Sequence, residues 1–454
     1  DLAGFPSQHP LDGREINFQN SSGASNPYWY VNNSKIDEEV DRTYGQISAT
    51  YAFNDKFTAT YRYGLDTSIE QRRTFINRGS ADANNITGGL TTSTRRQVYT
   101  NHTLILNYET RFKDDFFGFG INGGADVFRN EETLEGSSST EQTVFGRDQH
   151  GFFAASAGFS NEYAINRPGV FTQLTFDIDR YLYLTASARN DWTSNYVDNS
   201  QFYPGLGLSF IPTAAFEGLK SDALSYLKLR AGYGSSAIFD IPGGNRYPNT
   251  QLLSSTANAF VAANGDVINT DSVSNNLANS ELGPALVTEI EFGVEAKLFK
   301  NRVSLDASYY TKKTTDLIFN RELDPATGFT DSPLNVNEFE SSGIELEMNV
   351  TVIETDNFSW DIGGNWTATD SEVTDLDVDE FRFTNAGGDL GNYLIEGQPV
   401  GIIKGSVVAT NEAGQLLTNG RQYEIATDAE ILGDPNPDWV GSFFTALQYK
   451  SLSL

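Results

Sequence analysis

The sequence predicts an all-β fold, a transmembrane antiparallel up-and-down β-barrel with short turns at one end and long loops at the other. Three observations predict it: many segments alternate apolar with polar residues, their connections alternate between short and long, and a typical segment has about ten residues. An alternation with a period of two is typical of strands that have one apolar face. The loop lengths and strand lengths together are typical of outer-membrane barrels.

The alternation is clearest between residues 227 and 233, where Leu229 shares one face with other apolar residues while Lys228 and Arg230 share the opposite face. No comparably long stripe with a helical period competes with such segments. We therefore predict a series of strands along the whole chain. Their ranges are 42–53, 57–66, 98–110, 116–128, 168–177, 181–190, 202–211, 226–235, 286–298, 302–312, 338–351, 358–369 and 438–449, with a further strand starting at Ser451.

The connections between these strands fall into two length classes. Tight connections are predicted at 54–56, 112–115, 178–180, 299–301 and 352–357. Longer connections are predicted at 67–97, 129–167, 191–201, 236–285, 313–337 and 370–437. The 212–225 connection is long enough for a helical turn. In an outer-membrane barrel the short turns are periplasmic and the long loops are extracellular.

Charged residues lie opposite the apolar face in many of the predicted strands. They are Arg189, Lys228, Arg230, Glu291, Glu295, Lys297, Asp306, Glu345, Glu347 and Asp361. In a membrane barrel such residues line a watery lumen while their apolar neighbours face lipid. A secreted array of β-sandwiches is the weaker alternative, because sandwiches divide at linkers into units of about 100 residues. The chain has no Pro/Ser-rich linker at that spacing.

Composition narrows the classes of function. The 454 residues carry a formal net charge of −29, which disfavours nucleic acid as a partner because its binding requires a basic surface. The sequence has no Cys, which excludes a disulfide scaffold, a Cys-based zinc site and a Cys nucleophile within it. It also has no signal segment, no long apolar run and no initial Met. We therefore expect it to be a piece of a longer protein.

Several motifs occur in an order that resembles the SusC/RagA-like branch of TonB-dependent outer-membrane transporters. Residues 189–194 (RNDWTS) resemble the loop that follows one strand in this family, and 202–204 (FYP) resemble the start of the return strand. Residues 227–234 (LKLRAGYG), 433–437 (GDPNP) and 26–29 (NPYW) are similar to further family motifs. Each motif is weak alone, but the ordered set spans almost the whole chain.

The resemblance implies an active importer of oligosaccharides or oligopeptides, a multi-pass protein of the cell outer membrane of a Gram-negative bacterium. It implies a SusD-like lipoprotein as a lid, TonB–ExbB–ExbD as the energy source, outer-membrane lipid around the barrel, and a glycan or peptide substrate. Family barrels have 22 strands, and such barrels are plugged. About fourteen strands are predicted here. Residues 1–454 are therefore expected to be a partial barrel, without the signal sequence, TonB box, plug domain or last strands.

Candidate substrate-binding residues occur where aromatic side chains fall in predicted extracellular segments or at their strand ends. One group is Tyr28, Trp29 and Tyr30, and the other is Arg189, Asp191 and Trp192. Aromatic faces beside Asn, Asp and Arg suit stacking on a sugar ring or contact with a peptide. The plainer interpretation of each residue is loop packing, interfacial anchoring or ion pairing within the lumen.

No catalytic arrangement is found, and we do not expect an enzyme. The three His residues are far apart in the sequence, and no nucleophile elbow or Walker-type loop is present. The acidic run that starts at Asp375 resembles a calcium loop, but Glu380 and Ala386 stand where an EF-hand needs Gly and Glu. Asp375, Asp377 and Asp379 remain weak candidates for a looser site that holds a structural divalent cation such as calcium. No other cofactor is expected.

A passive porin, or a structural or adhesin barrel without energy coupling, is the alternative function. A plug domain with a TonB box in the full-length protein would distinguish the importer from it.

The assignment of the two faces can be tested by substitution. Leu229→Arg or Leu346→Arg should cost about 2–4 kcal/mol if the residue lies near the bilayer midplane, because that face meets lipid. Glu347→Arg, on the opposite face, should be mild. Folding free energies measured in lipid vesicles would compare them, and equal costs on the two faces would overturn the assignment.

Overall fold

The structure is a computed structural model that describes residues 6–16, 25–81, 85–196, 200–239, 248–261, 263–264, 266–335, 338–376, 378–384 and 388–454. It divides into two compact units. Unit 1 contains Asp1–Tyr51, Ala59–Leu104 and Ala125–Pro168, and unit 2 contains Ala52–Thr58, Ile105–Gly124 and Gly169–Leu454. Within the described residues, no helix has the length and apolar character that a membrane crossing requires.

Strands dominate the chain. In order they are β1 Ser34–Asn54, β2 Phe57–Ile76, β3 Gly89–Phe112, β4 Phe117–Gln142, β5 Phe153–Ile178, β6 Leu182–Trp192, β7 Ser200–Phe210, β8 Leu224–Ile238, β9 Leu253–Val261, β10 Val267–Val273, β11 Ala285–Leu298, β12 Val303–Thr315, β13 Ile318–Glu322, β14 Asp331–Asn335, β15 Glu338–Glu354, β16 Phe358–Asp375, β17 Phe381–Arg382, β18 Gly391–Leu394, β19 Ile402–Gly405, β20 Glu430–Gly433, β21 Val440–Tyr449 and β22 Leu452–Ser453. The helices are α1 Pro27–Asn33 and α2 Pro212–Ala215, and short 3₁₀ turns occur at His150–Phe152, Glu217–Leu219 and Pro325–Thr327.

Fourteen of these strands form one sheet, in the order β1 to β8, β11, β12, β15, β16, β21 and β22. Each strand therefore lies beside its neighbours in the chain, apart from those within the long loops, as an up-and-down arrangement requires. These are the fourteen strands that the alternating pattern predicts, so the predicted fold class is confirmed. The helical turn predicted within 212–225 is also present, as α2.

The predicted long connections contain more regular structure than the sequence indicated. β9 and β10 form a hairpin, β13 and β14 form another, and β17 to β20 form a four-stranded sheet. Phe319 of β13 packs against Phe381 of β17, with 4.9 Å between the ring centroids. Both rings contact a buried cluster that includes Val373 and Leu394. The described residues of the 370–437 region are thus folded, with a small core to which Phe319 of β13 also contributes.

The predicted connections at 67–97 and 129–167 are wrong in length. β2 continues to Ile76, β3 begins at Gly89, β4 continues to Gln142, and β5 begins at Phe153. Many of the extra residues of β3 and β4 are polar at successive positions, as in 91–97 (TTSTRRQ). An apolar–polar alternation requires one apolar face. Strand residues that are polar on both faces therefore lack the signal from which strands were predicted.

The strands of unit 2 have one apolar face and one polar face. Register pairing places Leu229 beside Val294 on one face, and Lys228 beside Glu295 on the other. Leu229 is 41% exposed, although it lies in the middle of its strand. Large exposed side chains on this apolar face include Leu174, Phe176, Leu184, Leu206, Leu208, Phe292, Ile344, Leu346 and Met348. A continuous exposed apolar face of this kind indicates contact with an apolar environment.

Long side chains on the polar face lie flat across glycines of the neighbouring strand. Arg230 of β8 stands directly opposite Gly293 of β11. Its guanidinium passes over that glycine and donates to both carboxylate oxygens of Asp306 on β12, at 2.8 and 3.0 Å. A Cβ on Gly293 would lie 2.3 Å from Nε of Arg230. Glycine is therefore required there, and the ion pair joins three successive strands.

The same arrangement occurs twice more in unit 2. Arg111 donates to Asp177 at 2.7 and 2.9 Å, and a Cβ on Gly118 would lie 1.7 Å from an oxygen of that carboxylate. Tyr310 lies over Gly343, and its hydroxyl is 3.0 Å from Oγ1 of Thr369 on β16. We call these three arrangements glycine-crossing ties. In these ties, long polar side chains form hydrogen bonds along the sheet instead of projecting from it.

Gly293→Ala should break the Arg230 tie because the new methyl group occupies the path of the guanidinium. We expect a cost of about 1–3 kcal/mol from overpacking and lost charged hydrogen bonds. Gly232→Ala is the matched control, since a Cβ at Gly232 meets nothing within 4 Å. The measurement is the temperature at which the folded, fast-migrating gel band converts to the unfolded one. Equal shifts in the two variants would contradict the tie.

Candidate functional site

In unit 1, the short helix α1 carries the first group of predicted binding residues. Asn26 caps the helix, with its side chain accepting from the backbone N–H of Tyr28 at 3.0 Å, and Pro27 occupies the first helical position. Trp29 is fully buried, and its indole N–H donates to the carbonyl of Gly13 at 2.9 Å. The indole therefore fastens α1 to the preceding segment and offers no open ring face.

A buried amide network connects α1 with the residue that follows β2 and with β4. Asn33 at the end of α1 donates to the carbonyl of Trp29 at 3.1 Å and accepts from Asn77 at 3.2 Å. The side-chain oxygen of Asn77 accepts from Gln142 at 3.1 Å and from the backbone of Gly146 at 2.7 Å. Since buried polar groups are costly without partners, this satisfied network fixes the position of α1 within unit 1.

The remaining side chains of α1 are open to solvent. Tyr28 is 49% exposed, Tyr30 is 41% exposed and Val31 is 77% exposed. We call these three residues the α1 patch. Aromatic side chains on a pre-organised backbone suit recognition, because little conformational entropy is lost on binding. Contact of Tyr28 and Tyr30 with a ligand or partner stays a prediction, whereas the contacts of Trp29 are those of a packing residue.

In unit 2, the second predicted group does not converge on one point. The Arg189 guanidinium contacts the carboxylate of Asp191 through Nε at 2.9 Å and through a terminal nitrogen at 2.6 Å. Asp191 is only 4% exposed. Gly169 faces Asp191 across the strand pair and leaves room for the guanidinium. Trp192 is the next residue along β6, so its side chain points to the apolar face. Arg189 and Asp191 thus act together, and Trp192 lies apart from them.

Aromatic contacts hold the Arg189 guanidinium against the polar face. Its Cζ lies 5.6 Å from the ring centroid of Phe171, which stands opposite on β5. The Tyr203 hydroxyl lies 3.2 Å from its Nε. Arg189 is therefore positioned by Asp191, Phe171 and Tyr203.

The weak cation candidates are only in part among the described residues. Asp375 is the last residue of β16 and is in register with Glu338. Asp379 lies in the segment that follows, and Asp377 lies outside the described residues. In the part of the chain that the structure describes, no group of three His, Cys, Asp or Glu side chains could hold a metal ion. A cation at these positions stays a prediction.

Sequence reasoning missed a set of polar and aromatic residues on the strands of unit 1. Arg42 of β1 donates to both oxygens of Asp66 on β2, at 2.9 and 2.6 Å. Tyr99 of β3 stacks on Phe128 of β4 with 5.9 Å between centroids, and the Arg167 guanidinium of β5 lies 5.9 Å from the Phe128 centroid. We call these five residues the aromatic–arginine set. Guanidinium groups close to aromatic rings suit a polar, partly charged ligand.

A weak signal for part of this set exists in the sequence. Asp126, Phe128, Asn130 and Glu132 are spaced by two, which places them on one face of a strand. Because this face mixes charge with an aromatic ring and the residues after Phe128 are polar on both faces, the apolar alternation did not extend the predicted 116–128 strand beyond Phe128.

The fold and its two faces define a class of protein, the up-and-down antiparallel sheets whose apolar face meets lipid and whose polar face meets water. The comparison with protein families is more specific. Residues 3–451 match the model of the TonB dependent receptor-like, beta-barrel family, and the chain belongs to this family. Its members are outer-membrane receptors and transporters, not enzymes. The predicted family is confirmed.

Curated relatives match most of this chain. It is 25% identical to TonB-dependent receptor P3 of Formosa agariphila over 94% of this chain and 45% of that protein. It is 23% identical to TonB-dependent receptor SusC of Bacteroides thetaiotaomicron over 84% of this chain and 38% of that protein. The chain thus spans less than half the length of these relatives.

Solved structures show the same fold. The RagAB peptide transporter matches with a TM-score of 0.76 and 17% identity, over 98% of this chain and 50% of that one. The RagAB peptide importer in its open-open state matches with a TM-score of 0.75 and 16% identity.

Trp29→Ala should loosen α1 in unit 1. Removing a fully buried indole and its hydrogen bond should cost about 3–5 kcal/mol locally, so trypsin should cleave faster at Arg14 and Lys35, which flank the helix. Tyr28→Ala is the matched control, and its effect should stay within about 0.5 kcal/mol because it is a surface substitution. Unchanged cleavage in Trp29→Ala would show that the buried indole does not hold the helix.

Proposed function

We propose that this chain forms part of the barrel wall of an outer-membrane active importer for oligosaccharides or oligopeptides. TonB, through ExbB–ExbD, would supply the energy, and a SusD-like surface lipoprotein would act as the lid. The observation that carries the proposal is the pair of faces in unit 2. One face exposes Leu229, Phe292 and Leu346, and the other carries ion pairs such as Arg230 with Asp306. Lipid on one side and water on the other satisfy both faces.

The polar face suits a transport wall more than a binding site. The glycine-crossing ties keep the long side chains of Arg111, Arg230 and Tyr310 flat against the sheet. A flat polar wall leaves space for a plug and for a passing substrate. Import would then proceed by opening of the lid and displacement of the plug, without covalent chemistry.

Substrate and lid contacts are proposed for unit 1 and for the long loops. The α1 patch offers exposed aromatic surface on a fixed helix, and the aromatic–arginine set offers rings beside guanidinium groups. Arg189 and Asp191 would contribute to the polar wall. The acidic residues near Asp375 and Asp379 would provide, at most, a loop site for a cation such as calcium.

The alternative is a passive porin, or a structural or adhesin barrel without energy coupling. The family to which the chain belongs favours the importer, because its name rests on dependence on TonB. Glycan and peptide remain open as substrates. RagAB is a peptide transporter, whereas this chain shares only 17% identity with it.

Energy coupling can be tested with the full-length protein in its own outer membrane. Uptake of labelled oligopeptides and oligosaccharides should be lost when TonB is deleted or when a protonophore collapses the inner-membrane gradient. Binding of the same compounds at the cell surface should persist and serves as the control. Uptake that survives both treatments, together with solute flux in vesicles without an energy source, would establish the passive alternative.

A further inference from the structure

A shallow groove of about 580 Å³ lies on the apolar face of unit 2. It crosses strands β5 to β8 and reaches β11. Two cross-strand rows of side chains form it, and each row contains one alanine. In the first row, Ala186 lies between Leu174 and Leu206. The alanine leaves a depression that its large neighbours border.

The second row lies two residues along each strand from the first. Leu184 is in register with Leu208, and Leu208 is in register with Ala231. Phe292 stands on the far side of Ala231 and closes the row. The depressions at Ala186 and Ala231 are therefore offset along the strands, and the groove runs obliquely between them.

The chemistry of the groove restricts its occupant. The wall side chains are hydrocarbon except for the Tyr233 hydroxyl, and Thr185 contributes backbone because its side chain belongs to the opposite face. An extended peptide would leave unpaired N–H and C=O groups against such a surface, at a cost of several kcal/mol each in an apolar medium. The occupant must therefore be hydrocarbon along its length.

The width of the groove restricts the occupant further. Leu174 and Leu206 are separated by two strand spacings, roughly 9–10 Å between backbones. Their side chains reduce this opening. A helix with its side chains is about 10–12 Å across and cannot enter. A single hydrocarbon chain can enter, and in lipid its retention depends on close van der Waals packing against small residues.

The groove lies near the end of the sheet that carries the short turns. Leu208 is two residues from Phe210, the last residue of β7, and Phe176 is two residues from Ile178, the last of β5. Short turns are periplasmic in outer-membrane barrels. The groove therefore falls in the half of the membrane that contains the periplasmic leaflet.

We propose that this groove binds one acyl chain of a phospholipid from the periplasmic leaflet. The inference rests on the membrane placement proposed above, and it adds a defined lipid site to the apolar face. A chain seated over Ala186 and Ala231 fills the depressions that other lipid tails would leave poorly packed. The headgroup would then lie at the level of the short turns.

Ala231→Trp in the full-length protein tests the site, because the indole fills the depression on the apolar face. Protein extracted from outer membranes in mild detergent would be examined by native mass spectrometry for bound phospholipid. We expect the unsubstituted protein to retain one phospholipid, and Ala231→Trp to retain about tenfold less or lower. Ala186→Trp should have the same effect and provides a second variant if the first folds poorly.

Ala307→Trp is the matched control. Ala307 lies on the same apolar face, beside Val294 and Leu346 and outside the groove. The Ala307→Trp protein should therefore retain phospholipid like the unsubstituted protein. The proposal would be overturned if all the proteins retained phospholipid equally, or if detergent but no phospholipid were bound. It would also be overturned if the unsubstituted protein were a dimer that Ala231→Trp separates into monomers. Heat-dependent gel mobility and TonB-dependent uptake report membrane placement and import separately, so failure of the lipid site would not be confused with failure of the function.

Discussion

The strands of unit 2 must satisfy an apolar environment on one face and water on the other with side chains that alternate one by one. The polar face is the harder to build, because long charged side chains would otherwise project from the sheet without partners. Unit 2 solves this with glycine-crossing ties such as the one between Arg230 and Asp306 over Gly293. The absence of a side chain at the glycine lets a guanidinium cross the middle strand. Charge is thereby neutralised along the wall.

Unit 1 depends on a different interaction. Its short helix is held by one buried indole, Trp29, and by amide contacts that run from Asn33 through Asn77 to Gln142. These partners are buried and satisfied, so α1 is fixed although it has only two turns. Aromatic side chains can then be exposed on it without loss of order. The binding surface proposed for α1 is therefore a consequence of the packing beneath it.

The sheet could be predicted from sequence because its apolar face imposes a period of two, as at Leu227 to Tyr233. The predicted strands end where this apolar face ends. The residues of β3 and β4 that are polar on both faces carry no such period, so those parts of the two strands were assigned to loops. Strand alternation also places the side chains of Trp192 and Asp191 on opposite faces of β6. The two residues are adjacent in the sequence motif, so the motif alone does not show that their side chains point apart. The burial of Trp29 depends on Gly13, a contact that no local pattern indicates.

The glycine-crossing ties also bear on how the strands find their alignment. A slip of one residue in β11 would move Gly293 to the opposite face and bring a side chain beneath Arg230. The guanidinium would then be unable to reach Asp306, and a charged group would be left without its partner. Each tie is thus satisfied in a single register of three strands at once. A sheet this regular has many near-equivalent pairings, and the glycines of its polar face distinguish the native one from the rest.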